Sequence, residues 1–431
     1  MKPTIDIENL EMRIKRKLRL GSYFMKSIIK WGVCSIITGI ICGFIGAAFY
    51  KCVAIATSTR TEHPELVFGL PVAGLFIVGL YKLCHMLDDG GTNRVIKSIR
   101  TEKPLQFRMA PLIFIGTVVT HFFGGSAGRE GAALQIGGSL GSTVGKAFHL
   151  NPKDMHIITM CGMSAVFSAL FGTPITATIF SMEVISVGVL YYVAFIPCLF
   201  SSMVALHISH CLGINSSSEA HILEKIPDLN LTSITQVMII AGICAFISML
   251  FCFTIHNTHT FFKKTFKNPF VRVAAGGLII VVLTLLVQTN DYNGAGMDVV
   301  SRALSGKVAR PEAFLLKIIF TAITLGAGFK GGEIVPSFFI GATSGSVIAS
   351  YIGFDPIFGT AVGLISMFCS VVNCPIASLF LSIELFGAKG LIFYCFACAI
   401  SYVLSGYYGL YSSQKIVYSK LSPTYINKNT Y

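Results

Sequence analysis

An arginine and a glutamate stand side by side between glycines, inside otherwise apolar sequence, in Gly124-Gly125-Ser126-Ala127-Gly128-Arg129-Glu130-Gly131. The chain is apolar from Leu112 to Phe123 before this stretch and continues after it as a small-residue helix through Gly138, Gly141 and Gly145. An ionisable side chain at membrane depth costs about 2.5–3.5 kcal/mol on insertion scales, so the pair is expected to face a protein-lined path rather than lipid. Irregular backbone survives at that depth only where it lines a cavity, and glycines leave its N–H groups bare. A helix start with exposed amides is a ready anion site. Glu130 at its mouth is then expected to act as an internal anion mimic, seated when ionised and released when protonated.

Composition agrees with a membrane setting. Of 431 residues, 53% are hydrophobic and 12% charged, against about 25% charged in a soluble domain. The formal charge of +13 is unevenly placed, with Arg13, Lys15, Arg16, Lys17, Arg19, Lys26 and Lys30 just ahead of the apolar span Trp31–Phe49. A basic run abutting a span reads as a cytoplasmic membrane-surface segment, not a nucleic-acid arm. No small-residue cleavage site follows a short apolar core, which argues against a signal peptide. The thirteen cysteines scatter through apolar segments and read as packed small side chains, the Cys395/Cys398 pair included. His207/His210 and His256/His259 lie at span ends and read as interfacial. With no HExxH and no clustered metal ligands in the spans, an enzyme is not expected, nor is a cofactor.

Apolar runs and their breakers place segments at Trp31–Ala56, Leu66–Leu87, Leu105–Phe123, Gly131–Phe148, Met155–Phe171 and Pro174–Leu212. After a polar stretch come Ile234–Phe262, Val271–Thr289, Glu312–Gly328, Ile334–Ile352, Ile357–Val372, Pro375–Phe386 and Leu391–Gly409. Several are too short or too broken to cross about 30 Å of hydrocarbon, as in transporter and channel cores. The two halves repeat. A shift of 204 residues maps Gly90 onto Gly294, Gly124 onto Gly328, Gly128 onto Gly332 and Gly141-Ser142 onto Gly345-Ser346. A shift of 201 maps Gly162 onto Gly363, Pro174-Ile175 onto Pro375-Ile376 and Glu183 onto Glu384. Glu219, Glu224 and Asp228 suit an outside loop between halves, and Lys263, Lys264, Lys267 and Arg272 an inside one. The repeats are therefore expected to be inverted, bringing two Gly-rich helix starts together near the midplane.

These residues resemble the CLC family of chloride channels and proton-coupled anion transporters. Gly128-Arg129-Glu130-Gly131 matches that family's GREGP motif, with Ala132 in place of the proline. Gly332-Glu333-Ile334-Val335-Pro336 matches its GxFxP motif, with Ile334 for the phenylalanine. Asp89-Gly90-Gly91-Thr92-Asn93 stands where GSGIP is expected and keeps only the third position. Gly409-Leu410-Tyr411 matches the segment bearing the family's anion-binding tyrosine. The resemblance covers about residues 30 to 415. It implies an anion site formed by Gly90, Gly91, Gly128, Arg129, Gly131, Glu333, Ile334, Val335 and Tyr411, gated by Glu130. Gly90 replaces the serine hydroxyl, Val184 replaces the internal relay glutamate after Glu183, and Glu333 adds a carboxylate. That pattern is most like the family's fluoride/proton antiporters. The alternative is a chloride transporter or channel of the same fold.

Plainer roles remain open at this stage. Glu333 could be an interfacial carboxylate paired with Lys330, and Tyr411 an interfacial aromatic. Glu183 and Glu384 read as helix-packing or helix-end groups, since both repeats keep them. The expectation is thus an all-α polytopic protein of two inverted halves with broken helices. It divides into a basic segment at 1–30, halves at 31–212 and 234–411, an inter-half loop at 213–233 and a tail at 412–431. Fluoride or chloride, protons and the bilayer are its expected partners, in a plasma-membrane homodimer.

Overall fold

The computed structural model describes residues 7–101, 104–214, 221–223 and 225–431. The side chains of Arg13 and Lys15, together with Glu219 and Glu224, lie outside the described residues. Eight helices make the first half: α1 (Ile7–Glu62), α2 (Leu70–Leu83), α3 (Gly91–Ser98), α4 (Met109–Phe122), α5 (Glu130–Ala147), α6 (Pro152–Phe171), α7 (Pro174–Glu183) and α8 (Phe195–Cys211). Eight more make the second: α9 (Leu231–Thr265), α10 (Pro269–Val287), α11 (Met297–Leu304), α12 (Ala313–Ala327), α13 (Ile334–Tyr351), α14 (Pro356–Val372), α15 (Pro375–Phe386) and α16 (Leu391–Leu404). Among the described residues, seven helical stretches are long and apolar enough to cross a membrane, and other apolar helices are shorter, at 10–17 residues. The protein is therefore an all-α, multi-pass membrane protein with broken helices.

The repeat is written in the helix ends. Asn151 caps α6 by accepting from the Asp154 amide, and Asp355, 204 residues later, caps α14 by accepting from the Ile357 and Phe358 amides. Each is followed by a proline in the first helical turn, where the missing N–H costs nothing. Gly172 ends α6 at φ 69°, and Asn373, 201 residues later, ends α14 at φ 56°. Both adopt the left-handed cap that frees the chain to turn back. Packing follows the same rule. Gly137 and Gly141 of α5 lie against the backbone of α6 at Gly162 and Ile158, while Gly341 and Gly345 of α13 lie against Gly363 and Gly359 of α14. A Cβ at any of these glycines would meet main-chain atoms, so each pair of helices touches backbone to backbone.

The 39-residue apolar run Pro174–Leu212 is not one element, contrary to the sequence expectation. As one helix it would be about 58 Å long, roughly twice the hydrocarbon thickness. Instead α7 stops at Glu183, and Ser186–Val187 forms a strand, β1. This strand pairs in parallel with β2 (Lys415–Tyr418), which pairs antiparallel with β3 (Tyr425–Asn429). Residues after Tyr411 thus fold into a hairpin, and α1 runs through Trp31 without a break.

Stopping α7 at Glu183 lets its carboxylate reach across the halves. Glu183 accepts from the Ile376 and Ala377 amides at 3.2 and 2.8 Å, capping the start of α15. Glu384, in α15, accepts from the Ile175 and Thr176 amides at 3.0 and 2.9 Å, and from the Thr176 hydroxyl at 2.5 Å. Each short helix thus supplies the anion that the other's N-terminus needs. Such exchange requires the two halves to run in opposite senses.

The glycine crossings give a direct test. Gly162→Ala and Gly363→Ala should each cost about 1–3 kcal/mol through overpacking, lowering the melting midpoint of the detergent-purified protein by similar amounts. Gly242→Ala is the control, because an added Cβ there meets only a Leu404 methyl at 3.5 Å. Equal melting of all three variants would show that the crossings are not close-packed.

Candidate functional site

Two hydrogen bonds join the halves at their centre. The Gly128 amide donates to the Gly332 carbonyl at 2.8 Å, and the Gly332 amide donates to the Gly128 carbonyl at 2.7 Å. α5 begins two residues after Gly128 and α13 two residues after Gly332, so both helix starts open at one point. The approach needs glycine. A Cβ on Gly332 would lie 2.5 Å from the Gly131 amide nitrogen, and one on Gly128 would strike the Glu130 carboxylate. The loops ahead are braced across the pseudo-two-fold axis. Thr324 of α12 accepts from the Ser126 amide at 3.1 Å, and Thr120 of α4 accepts from the Lys330 amide at 3.3 Å. Both members of that pair obey the 204-residue shift.

Glu130 sits at the meeting point with no exposed surface. Its Oε1 accepts from the Arg129 amide and its Oε2 from the Val335 amide, each at 3.0 Å. A carboxylate from the first half thus occupies the helix start of the second. The Arg129 guanidinium lies 4.7 Å from the centre of the Tyr50 ring and 5.3 Å from that of Phe171. Arg129 therefore reaches the centre through its main chain, while its cation stacks on α1 and α6.

The remaining predicted positions surround this point. Gly90 and Gly91 have φ of 71° and 54° and open α3, a backbone that favours glycine. Asp89 Oδ1 accepts the Gly91 amide at 3.2 Å, so that N–H is already engaged. The Gly131 carbonyl accepts the Thr92 hydroxyl at 3.3 Å, tying α3 to α5. Ile334 and Val335 are buried in the first turn of α13. Glu333 stands at the N-cap position of that helix, with no side-chain cap hydrogen bond among the described residues, and interacts electrostatically with Glu130. The Lys330 partnership left open by the sequence is not the one formed. Lys330 Nζ lies 3.5 Å from Asp89 and 4.1 Å from the Tyr81 ring centre. Tyr411 is 1% exposed, its hydroxyl has no hydrogen-bond partner among the described residues, and the charges of Glu333 and Glu130 both reach it.

Three side chains at the site were not anticipated. Thr92 stands two residues past Gly90, and its hydroxyl accepts from Gln135 Nε2 at 3.3 Å. The Oε1 of Gln135 is buried without a partner among the described residues. His121 Nε2 lies 3.4 Å from the Gly128 carbonyl, behind the central glycine pair. A glutamine inside the small, apolar run Gly131–Gly137 was the available signal for Gln135. Nothing in the sequence singled out Thr92. Among the described residues no three His, Cys, Asp or Glu side chains gather as metal ligands, and His256 instead meets the Leu410 carbonyl at 3.2 Å.

Known proteins share both sequence and architecture with this chain. The family described as voltage gated chloride channel matches residues 73–406. A chloride/fluoride channel protein of Pseudomonas syringae pv. tomato is 33% identical over 401 residues, covering 91% of this chain and 88% of its own length. An H(+)/Cl(-) exchange transporter of Vibrio cholerae serotype O1 is 23% identical over 379 residues, 81% of each. The crystal structure of a CLC-type fluoride/proton antiporter superposes with a TM-score of 0.86 at 30% identity, covering 90% of this chain and 98% of that one. A slow cyanobacterial Cl-/H+ antiporter shares the fold at a TM-score of 0.74 and 19% identity, covering 87% and 94%.

Proposed function

The chain belongs to the voltage gated chloride channel family, and from that premise we propose that it exchanges anions for protons and exports fluoride. The observation that carries the reading is the Glu130 carboxylate seated on the Arg129 and Val335 amides. A site that binds a carboxylate as an anion also binds a transported anion, and the two compete for the same N–H groups. Protonation removes the negative charge and turns one acceptor oxygen into a donor. The neutral carboxyl then leaves the amides, the anion takes them, and loss of the proton on the other side returns the carboxylate. Proton and anion therefore move in opposite senses.

Fluoride is favoured over chloride by the donors at hand. It is small, holds its water tightly and is the stronger hydrogen-bond acceptor, so it gains most from short donors in a sheltered site. A protonated Glu333 carboxyl and the unpartnered Tyr411 hydroxyl are such donors, whereas Gly90 offers no side chain. The names carried by the 33% identical relative and by the 30% identical structure support the same anion. The basic N-terminal side faces the cytoplasm of a plasma-membrane homodimer, each protomer with its own path. Chemistry is confined to transport.

Vesicles reconstituted with the purified protein test this, with fluoride, chloride and proton fluxes recorded together. Fluoride efflux should drive protons inward and outrun chloride. Faster chloride overturns the fluoride assignment, and fluoride flux without proton movement overturns exchange. In Glu130→Gln the amide imitates the protonated gate and cannot cycle. Proton coupling should fall by about a hundredfold or more, in line with the loss of an acid–base group. Coupled proton uptake at the wild-type ratio would remove Glu130 from the gate.

Glu333 separates the two anions. Glu333→Ala should cut fluoride flux by roughly ten- to a hundredfold, the worth of one charge-assisted hydrogen bond, while chloride flux stays level or rises. Glu333→Gln should retain part of the fluoride flux through its amide donor. Equal losses for both anions in one vesicle preparation would make Glu333 a structural residue.

A further inference from the structure

Among the described residues, Tyr411 has no side-chain hydrogen bond to fix its direction. Its hydroxyl is aimed by the backbone from which it hangs, in the loop between the end of α16 and β2. The Tyr411 carbonyl accepts two hydrogen bonds, one from the Gln414 amide at 2.8 Å and one from the Thr430 hydroxyl at 2.6 Å. The Thr430 amide in turn donates to the Gln414 carbonyl at 3.1 Å. Thr430 lies just beyond β3, so the hairpin that follows the loop folds back and grips it at Tyr411.

The hairpin has a firm base. β2 pairs with β1 directly after α7, matching Ser186 to Lys415 and Val187 to Ile416. Lys420, in the turn, donates to Asn373 Oδ1, the Tyr402 carbonyl and the Ser405 hydroxyl at 2.5, 2.9 and 3.0 Å. It thereby joins the ends of α14 and α16. Asn373 Nδ2 donates to the Tyr408 carbonyl at 2.9 Å and to Gln414 Oε1 at 3.2 Å. The Tyr431 amide donates to the Tyr407 carbonyl at 3.0 Å, and the Gly409 amide to the Tyr431 carbonyl at 3.3 Å. The loop on which Tyr411 sits is thus held from the α14 side and from the hairpin side at once.

Resting on the transport reading above, we infer that the C-terminal hairpin is the positioning element for Tyr411, and that Thr430, outside the anion path, sets how tightly the path holds its anion. The hydroxyl of Thr430 holds the carbonyl of Tyr411, whose own hydroxyl is buried with no hydrogen-bond partner among the described residues. The phenol is a long lever from Cα to oxygen. A small rotation of the peptide at Tyr411 therefore displaces the hydroxyl far more than it disturbs the surrounding helices.

Thr430→Val keeps the shape and removes the donor, while Thr430→Ser restores it. In vesicles, the half-saturating fluoride concentration should rise about fivefold in Thr430→Val, the equivalent of one neutral hydrogen bond. Thr430→Ser should return close to wild type, and the melting midpoint of Thr430→Val should stay within a degree or two. The double variant Thr430→Val/Tyr411→Phe should be no weaker than Tyr411→Phe alone, because both remove the same contact. Wild-type affinity in Thr430→Val, or losses that multiply in the double variant, overturns the inference. Should Thr430→Val not fold, Thr430→Ala beside Thr430→Ser reads the same hydroxyl. Failure of the transport reading would appear in wild-type vesicles as absent coupled flux, before any variant is compared.

Discussion

The paired hydrogen bonds between Gly128 and Gly332 are the constraint from which the rest of the structure follows. Joining the main chains of two halves at membrane depth satisfies two amides and two carbonyls that hydrocarbon could not. It also fixes α5 and α13 with their first turns facing one point. At Gly128 a Cβ would strike the Glu130 carboxylate, and at Gly332 it would strike the Gly131 backbone. The site is therefore not a pocket filled by side chains. It is a place where two helix starts leave amides unused, and where one carboxylate has been supplied to use them.

Reciprocity around that point distributes the remaining cost of buried polar groups. Thr120 and Thr324 trade amides across the halves, and so do Glu183 and Glu384. Each exchange satisfies a helix start or loop in one half from a side chain in the other. Neither half could bury these groups alone, so the halves specify one another. The glycine crossings of α5 on α6 and α13 on α14 then stiffen each half from within.

How much of this was legible depended on how loudly each feature departs from its surroundings. Arg129-Glu130 stands out because charge in apolar sequence is costly, and the repeat stands out because caps and crossing glycines tolerate few substitutes. Helix ends read well wherever proline or glycine marks them, as at Pro375. α3 and α11 escape a reading based on apolar runs because both are short and amphipathic, with charged and polar residues between their apolar ones. The break after Glu183 and the hairpin were missed for one shared reason. β1 and β2 pair across more than two hundred residues, and no local signal announces such a partner. Thr92 went unnoticed because a threonine two residues past a glycine is ordinary in any loop. Only the fold places its hydroxyl on the Gly131 carbonyl.

The chemistry lies where the repeat is broken. At positions related by the 204-residue shift, Arg129 faces Glu333 and Glu130 faces Ile334. The backbone treats these pairs alike, since each stands at the start of α5 or α13. Their side chains do not. Arg129 lays its cation on Tyr50 and Phe171, while Glu333 brings a carboxylate to the matching position. A fully symmetric centre would present the same groups to both sides of the membrane. Here the second half supplies a carboxyl where the first supplies a cation stacked on aromatic rings. The two halves thus lay an asymmetric set of side chains over a symmetric backbone.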